Sequence, residues 1–363
     1  MERGHVNIKV LLRMGLVLML TIGILAGCGG QPAAEEVPSG TAVTEMKEMK
    51  EITITVTLWP TSGTTLPYHI GIAKGFFEEE GIKINGVIPG AGGGQSVRNV
   101  LSGELPFGEV AYTAALQSYF AGGPIKMIAG TGTVNQGPAG WVALKDSPIN
   151  GIQDFPGKKI GITNSGSAGE GMLLLSLDRA GINSSSVEIV PAGGVNEGLT
   201  LLDQGQIDAA YNPNYYTFPL EQQAKWKTVL GFSEYVSQNY STVLVSSPQL
   251  IKEDPELVQS MVDVYNKSAE FIYENPEETA EIFAEGAEIE LELAKATVDF
   301  VIENRQFEPY KILPEGINSV IESMILSGTL QESATVNWGE IIVQDFIPEE
   351  NRINVSDLML SAE

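Results

Sequence analysis

The residues of this chain best equipped to bind a small molecule sit in short loops of small polar residues. Asn164-Ser165-Gly166-Ser167-Ala168-Gly169 follows a β-branched run at 159–163. It precedes Leu173, Leu174, Leu177 and Ala180, which fall on or near one helical face. A strand–loop–helix of this kind leaves backbone N–H groups at a helix start, where the dipole favours an anion or an acceptor oxygen. The same residues also make an ordinary helix cap. A similar arrangement occurs earlier, where Pro89-Gly90-Ala91-Gly92-Gly93-Gly94-Gln95-Ser96 opens a helix through Leu101. Thr131, Gly132 and Thr133 add further donors. No Lys or Arg falls within these loops, and Arg98 lies one turn into a helix.

Glu109, at the end of a predicted strand, is placed either to accept a hydrogen bond from a ligand amino group or to cap the helix from Tyr112. Trp59, Tyr68, Tyr112, Trp141, Tyr211 and Tyr215 gather at predicted loop ends, where they can pack on neighbouring strands or stack on a flat ligand. Catalytic and cofactor signatures are missing. The only histidines are His5 and His69, and Cys28 is the only cysteine, so no metal pattern forms. Gly92-Gly93-Gly94 is not followed by Lys-Ser/Thr, Ser165 is not in Gly-x-Ser-x-Gly, and the glycine spacing departs from a dinucleotide fingerprint. The expectation is no cofactor, no metal and no catalytic residue.

The chain has 363 residues, 43% hydrophobic and 18% charged, enough for two domains with a sizeable core. Its formal net charge of −25 argues against nucleic acid or an anionic membrane surface as partner. Arg3, Lys9 and Arg13 precede an apolar run at 14–26, which is short for a spanning helix. The run ends in Leu25-Ala26-Gly27-Cys28 and looks like a bacterial lipobox, with Cys28 as the lipidated first residue. Residues 1–27 are then a signal peptide and residues 28–50 a flexible tether rich in Gly, Pro, Ala, Glu and Thr.

The elements that must position these loops alternate. Strands are predicted at 51–58, 83–88 and 107–111, with helices at 68–80 and through Leu101. The second half repeats the arrangement with strands at 159–163, 187–190 and 208–212 and a helix through Leu202. An offset of 102 superposes Pro89 on Pro191, Val97 on Leu199, Val100 on Leu202, Gly103 on Gly205 and Leu105 on Ile207. The expectation is a duplicated α/β lobe with parallel sheets, loops converging beyond the carboxyl ends of the strands. Segments near 141–144 and 236–240 carry the chain across and back. From Ser247 the chain reads as acidic helices packed on the first lobe, among them 287–301, 314–326 and 338–346.

Four stretches resemble the solute-binding proteins of ABC importers in the nitrate/sulfonate/taurine and thiamine-pyrimidine-precursor group. They are Ile72-Ala73-Lys74-Gly75-Phe76-Phe77-Glu78-Glu79-Glu80-Gly81-Ile82, Leu144-Lys145-Asp146-Ser147-Pro148-Ile149, Phe155-Pro156-Gly157-Lys158-Lys159-Ile160-Gly161 and Leu202-Asp203-Gln204-Gly205-Gln206-Ile207-Asp208-Ala209. The resemblance spans about 52–346. It implies an α/β, periplasmic-binding-protein type II-like fold of two doubly wound lobes, with 51–143 and 238–363 in lobe I and 144–237 in lobe II.

It implies that Trp59, Thr61, Ser62 and Tyr68, Gly93, Gly94, Gln95 and Ser96, Glu109, Tyr112, Thr113 and Thr133 line the cleft from one side. Asn164, Ser165, Ser167, Ala168, Asn212 and Asn214 line it from the other. The implied function is a non-enzymatic, lipid-anchored receptor on the outer side of the cytoplasmic membrane. It would capture a sulfonate, taurine-like anion or pyrimidine-type vitamin precursor and hand it to an ABC permease and ATPase complex. The alternatives are a chorismate-dehydratase-like lyase on the same scaffold, or a sensor feeding a signalling partner. Two departures stand out: Leu105-Pro106 follow Gly103-Glu104 where the group often has Val-Asp, and the Cys cluster of a fungal pyrimidine synthase in the group is absent.

Overall fold

A computed structural model describes residues 49–90, 93–133, 140–213 and 218–362. The predicted signal, Cys28 and the tether lie outside the described residues apart from 49–50. Strand β1 (Lys50–Thr57) buries Ile52, Ile54 and Val56 on one face. Towards its end Thr55 and Thr57 are buried as well, as expected of a strand covered on both faces. The helix predicted at 68–80 is two helices, α1 (Leu66–Ala73) and α2 (Phe76–Glu79). Gly75 adopts φ 71° between them, which leaves the right-handed helical region and starts α2 on a new axis. Ile72, expected in the apolar set, is consequently 38% exposed. Then follow β2 (Ile82–Gly90), α3 (Gly93–Leu101), β3 (Phe107–Ala111), α4 (Tyr112–Phe120) and β4 (Lys126–Gly130).

The second half contains β5 (Gly140–Leu144), β6 (Lys159–Ile162), α5 (Ala168–Arg179), β7 (Glu188–Pro191), α6 (Val195–Asp203), β8 (Ala209–Asn212), α7 (Leu220–Gln223) and β9 (Trp226–Gly231). It is followed by β10 (Thr242–Ser246). Two five-stranded sheets result, ordered β2-β1-β3-β10-β4 and β7-β6-β8-β5-β9. They define a first and a second lobe. The sheets are mixed rather than parallel: β10 runs antiparallel to β3 and β4, and β5 antiparallel to β8 and β9. The chain leaves each lobe at the carboxyl end of a strand and enters the other at that same end, so the arriving strand must run the opposite way.

The C-terminal helices are α8 (Pro248–Glu253), α9 (Pro255–Glu274), α10 (Pro276–Ala287), α11 (Leu291–Glu303), α12 (Pro314–Leu326) and α13 (Trp338–Ile341). Asp254 caps α9 through Leu257 N–H at 3.2 Å. Glu288, at φ 55°, closes α10, so the helix expected from 287 begins at Leu291. The helix expected over 338–346 stops at Ile341, because Ile342 pairs with Met127 and Val343 N–H donates to Met127 O at 2.9 Å. Helices α9, α10 and α11 cover one face of the first sheet through Leu257, Met261, Val264, Phe283 and Val298. Helix α12 lies against the other face, with Ile317, Val320 and Ile321 beside Tyr112, Leu116 and Tyr240, and also reaches the second lobe. Among the described residues, no helix is long and apolar enough to cross a membrane.

Candidate functional site

The carboxyl ends of β1, β2 and β3 carry the first-lobe loops. Leu58, at φ 62°, turns the chain out of β1 into Trp59. The Trp59 ring stacks on His69, centroids 4.2 Å apart and 14° from parallel. His69 Nε2 donates to Pro60 O at 2.9 Å, and the ring edge meets Phe283. Burial lowers the His69 pKa to about 4, so the imidazole is neutral near pH 7 and braces the Trp59 loop from below. Ser62 Oγ caps a short 3-10 turn with Thr64 (3.0 Å to Thr64 Oγ1) and is buried; Thr61 is half-buried beside it.

Several predicted ligand groups are occupied inside the lobe. Ser96 is fully buried, its Oγ 3.0 Å from Thr57 Oγ1, which donates onward to Glu109 O at 2.9 Å. Its side chain ties α3 to β1, and Gly94 and Gln95 in the first turn of α3 are exposed. Gly93 begins α3. Thr133 gives both its N–H and Oγ1 to Gln306 O, at 2.9 and 3.0 Å. Tyr112 is buried and stacked on Tyr240 at 5.4 Å, within the core rather than along a cleft wall. Trp141 donates Nε1–H to Gly161 O at 2.9 Å, tying β5 to β6 across the intervening β8. Asn212 is fully buried in β8; Asn214 and Tyr215 lie outside the described residues.

Glu109 sits within β3, not at its end, and its side chain is fully buried. Tyr68 of α1, Tyr265 of α9 and Thr242 of β10 surround it, the two tyrosine rings 5.5 Å apart. The Tyr68 and Thr242 hydroxyls approach the carboxyl without completing a well-formed hydrogen bond to Oε1 or Oε2. Burial pushes Glu109 up to about 8, against the opposing pull of those hydroxyls, so it is chiefly a neutral acid near pH 7. Tyr265 and Thr242 were not legible as partners, since both read as ordinary core positions of a helix and a strand.

Helix α4 starts directly after β3 with no side-chain cap at Ala111. Tyr112 N–H is taken by Ser241 O at 3.1 Å, and Thr113 Oγ1 is buried with no hydrogen-bond partner. In the second lobe, Asn164 and Ser165 are exposed. Ser167 is the cap of α5, its Oγ accepting from Glu170 N–H at 3.2 Å, while Glu170 Oε2 accepts from Gly166 N–H at 2.5 Å. Ser167 and Glu170 thus take the ordinary capping role, and the loop offers Asn164, Ser165 and the start of α5 at Ala168. Ser167→Ala is expected to cost about 1 kcal/mol of stability in urea unfolding.

The two halves meet at this loop. Gln117 of α4 donates Nε2–H to Gly166 O at 3.4 Å. Helix α4 therefore meets the 164–168 loop about a turn and a half beyond its start. The start of α3 lies two strands away in the first sheet, about 10 Å across it. Arg98 folds back to that start: a Cβ on Gly94 would lie 3.5 Å from Arg98 Nη1. Among the described residues no carboxylate pairs with Arg98. Its place one turn into the helix is what the sequence shows of this cation. Among the described residues, no group of three or more His, Cys, Asp or Glu could hold a metal.

A family model described as NMT1/THI5 like matches residues 64–279. The 4-amino-5-hydroxymethyl-2-methylpyrimidine phosphate synthase of Legionella pneumophila is 26% identical over 230 residues, covering 61% of this chain and 70% of the relative. The riboflavin-binding protein RibY of Chloroflexus aurantiacus is 23% identical over 281 residues, 75% and 76% of the two chains. Among solved structures, the alkanesulfonate-binding protein SsuA from Xanthomonas axonopodis pv. citri, bound to MOPS, superposes with a TM-score of 0.63 at 13% identity. That match covers 86% of this chain and 97% of the other. The ligand-binding component of an ABC-type import system from Staphylococcus aureus, solved with zinc bound, gives 0.69 at 14% identity, covering 84% and 100%. The fold is that of the periplasmic binding proteins.

Proposed function

Because this chain belongs to the NMT1/THI5-like family, we propose that it is an extracytoplasmic solute-binding protein of an ABC importer, anchored through a lipid on Cys28. A small polar organic ligand is held between the lobes and delivered to a permease and ATPase complex. The observation that supports this reading is the Gln117–Gly166 contact, which brings helix α4 of one lobe, rising from the carboxyl end of β3, against an exposed polar loop of the other. Sites of this kind, at the carboxyl ends of strands and between lobes, are where open α/β proteins take their ligands.

The ligand is flat or anionic: a pyrimidine-type vitamin precursor or a sulfonate. Arg98 and the exposed start of α3 suit an anionic group, in a chain whose net charge of −25 would otherwise repel it. Trp59, held by His69, offers a partly exposed ring for a flat one. One curated relative is named for a substituted pyrimidine and the other for riboflavin, both flat nitrogen heterocycles.

The synthase among the relatives favours a second reading, an enzyme on this scaffold. Against it stand the single Cys and a buried, neutral His69 that already donates to Pro60 O. A thermal-shift titration with MOPS, riboflavin and 4-amino-5-hydroxymethyl-2-methylpyrimidine separates the two. A receptor's stabilisation follows the logarithm of ligand concentration, and the ligand is recovered unchanged at one per chain. Turnover without retention supports the enzyme. Replacing Asn164 and Ser165 together by Ala is expected to weaken the best of these compounds more than about tenfold, or ~1.4 kcal/mol. An unchanged affinity removes that loop from the site.

A further inference from the structure

Helix α12 belongs to two surfaces. Ile317, Val320, Ile321 and Met324 are buried in the first lobe. Glu322 and Ser323 face α5 of the second lobe. A Cβ placed on Gly171 would lie 2.6 Å from Ser323 Oγ and 2.9 Å from Ser323 Cβ, so the helices touch where one lacks a side chain. Ser323 is buried and its Oγ turns back to Val320 O at 2.7 Å, so it meets α5 by its volume rather than by a hydrogen bond. Further along α5, Arg179 bonds Glu322 at 2.8 Å and donates to Tyr235 O at 3.0 Å, within the segment that returns the chain to the first sheet. The start of α12 is fixed to that same segment. Leu313 N–H donates to Tyr240 Oη at 2.9 Å, and a Cβ on Gly316 would lie 2.9 Å from the Tyr240 ring.

We propose that the α5–α12 contact at Gly171 and Ser323 is the pivot on which the two lobes turn. It is a third connection beside the two crossover segments. Two crossovers alone allow the lobes to twist as well as to hinge. A close helix contact cannot be compressed, because packed interiors switch between arrangements rather than deform continuously. Helices α4 and α12 also touch, and Gln117 meets Gly166 on the same flank. The cleft is therefore pinned on the α4–α12 side, and the swing is largest at edge strand β2, where α3 starts. This device belongs to the scaffold and does not depend on which ligand is bound.

The test is the interlobe distance, measured by double electron–electron resonance on the full-length chain with Cys28→Ser. Nitroxides are placed at Ser102→Cys in the first lobe and Gln204→Cys in the second, both exposed. Gly171→Leu, a wedge at the pivot, is expected to shift the mean distance by about 3 Å or more. Gly171→Ala shifts it less, and Gly171→Ala with Ser323→Gly, which moves the Cβ to the other helix, restores the wild-type distribution. Wild-type distances in a cooperatively folding Gly171→Leu protein overturn the proposal. If that variant fails to fold, unchanged distances in Gly171→Ala, or a swap as displaced as the single variant, overturn it instead.

Discussion

Gly140→Ala is expected to destabilise the protein by about 3 kcal/mol or more in urea unfolding, the upper range for an overpacked site. Gly140 begins β5 and is flanked on both sides, paired with Asn212 of β8 and Gly231 of β9. A Cβ there would lie 1.9 Å from Leu230 O and 3.0 Å from Leu230 C. Those atoms are backbone, held in a strand, and have no rotamer to yield. The damage falls where the chain enters the second sheet, so the lobe arrangement should fail with the fold. Gly86→Ala is the control: nothing lies within 4 Å of its added Cβ, and the expected change is within about 0.5 kcal/mol. Equal effects at the two positions would mean that the β5–β9 approach is looser than described.

Glu109→Gln is expected to flatten the dependence of stability on pH between about 6.5 and 8. Burial raises the carboxyl from 4.5 in the unfolded chain to about 8 in the folded one. The stabilisation from keeping the proton is complete below pH 4.5 and is lost as pH rises through 8. His69 acts in the opposite sense: its folded pKa is lowered to about 4, so its contribution is lost as pH falls from 6.5 to 4. Above pH 6.5 the Glu109 effect therefore stands clear of it. The wild-type protein should lose about 2 kcal/mol between pH 6.5 and 8, and the Gln variant, an isostere of the neutral acid, should not. Parallel profiles for the two proteins would show that Glu109 is ionised in the folded state at neutral pH.

The strands and loop positions of the fold were legible because alternation and glycine punctuation are local signals. Strand β3 occupies Phe107–Ala111 as predicted from its apolar run, and β6 departs from prediction by one residue. The sense of β5 and β10 was not legible, since it depends on the end from which the chain enters a sheet. The double contact of α12 was hidden because Ser323 and Gly171 carry no apolar signal; their part is a close approach of two distant segments. Site residues divide the same way. Asn164 and Ser165 lie in an exposed loop as read, whereas the internal bonds of Ser96 and Thr133 arise from partners far along the chain, Thr57 and Gln306. The sequence leaves Glu109 either an acceptor for a ligand amino group or a cap of the helix from Tyr112, because its neighbours Tyr68, Thr242 and Tyr265 come from three separate elements.

The proposed site requires one ligand to be gripped from both lobes at once. Hydrogen–deuterium exchange on the full-length chain, with and without saturating MOPS, riboflavin or 4-amino-5-hydroxymethyl-2-methylpyrimidine, reads this directly. Whichever compound binds should slow exchange together at 111–117 and at 164–170, with half-protection at the same ligand concentration. Protection confined to one of the two segments, or binding that protects neither, contradicts the account.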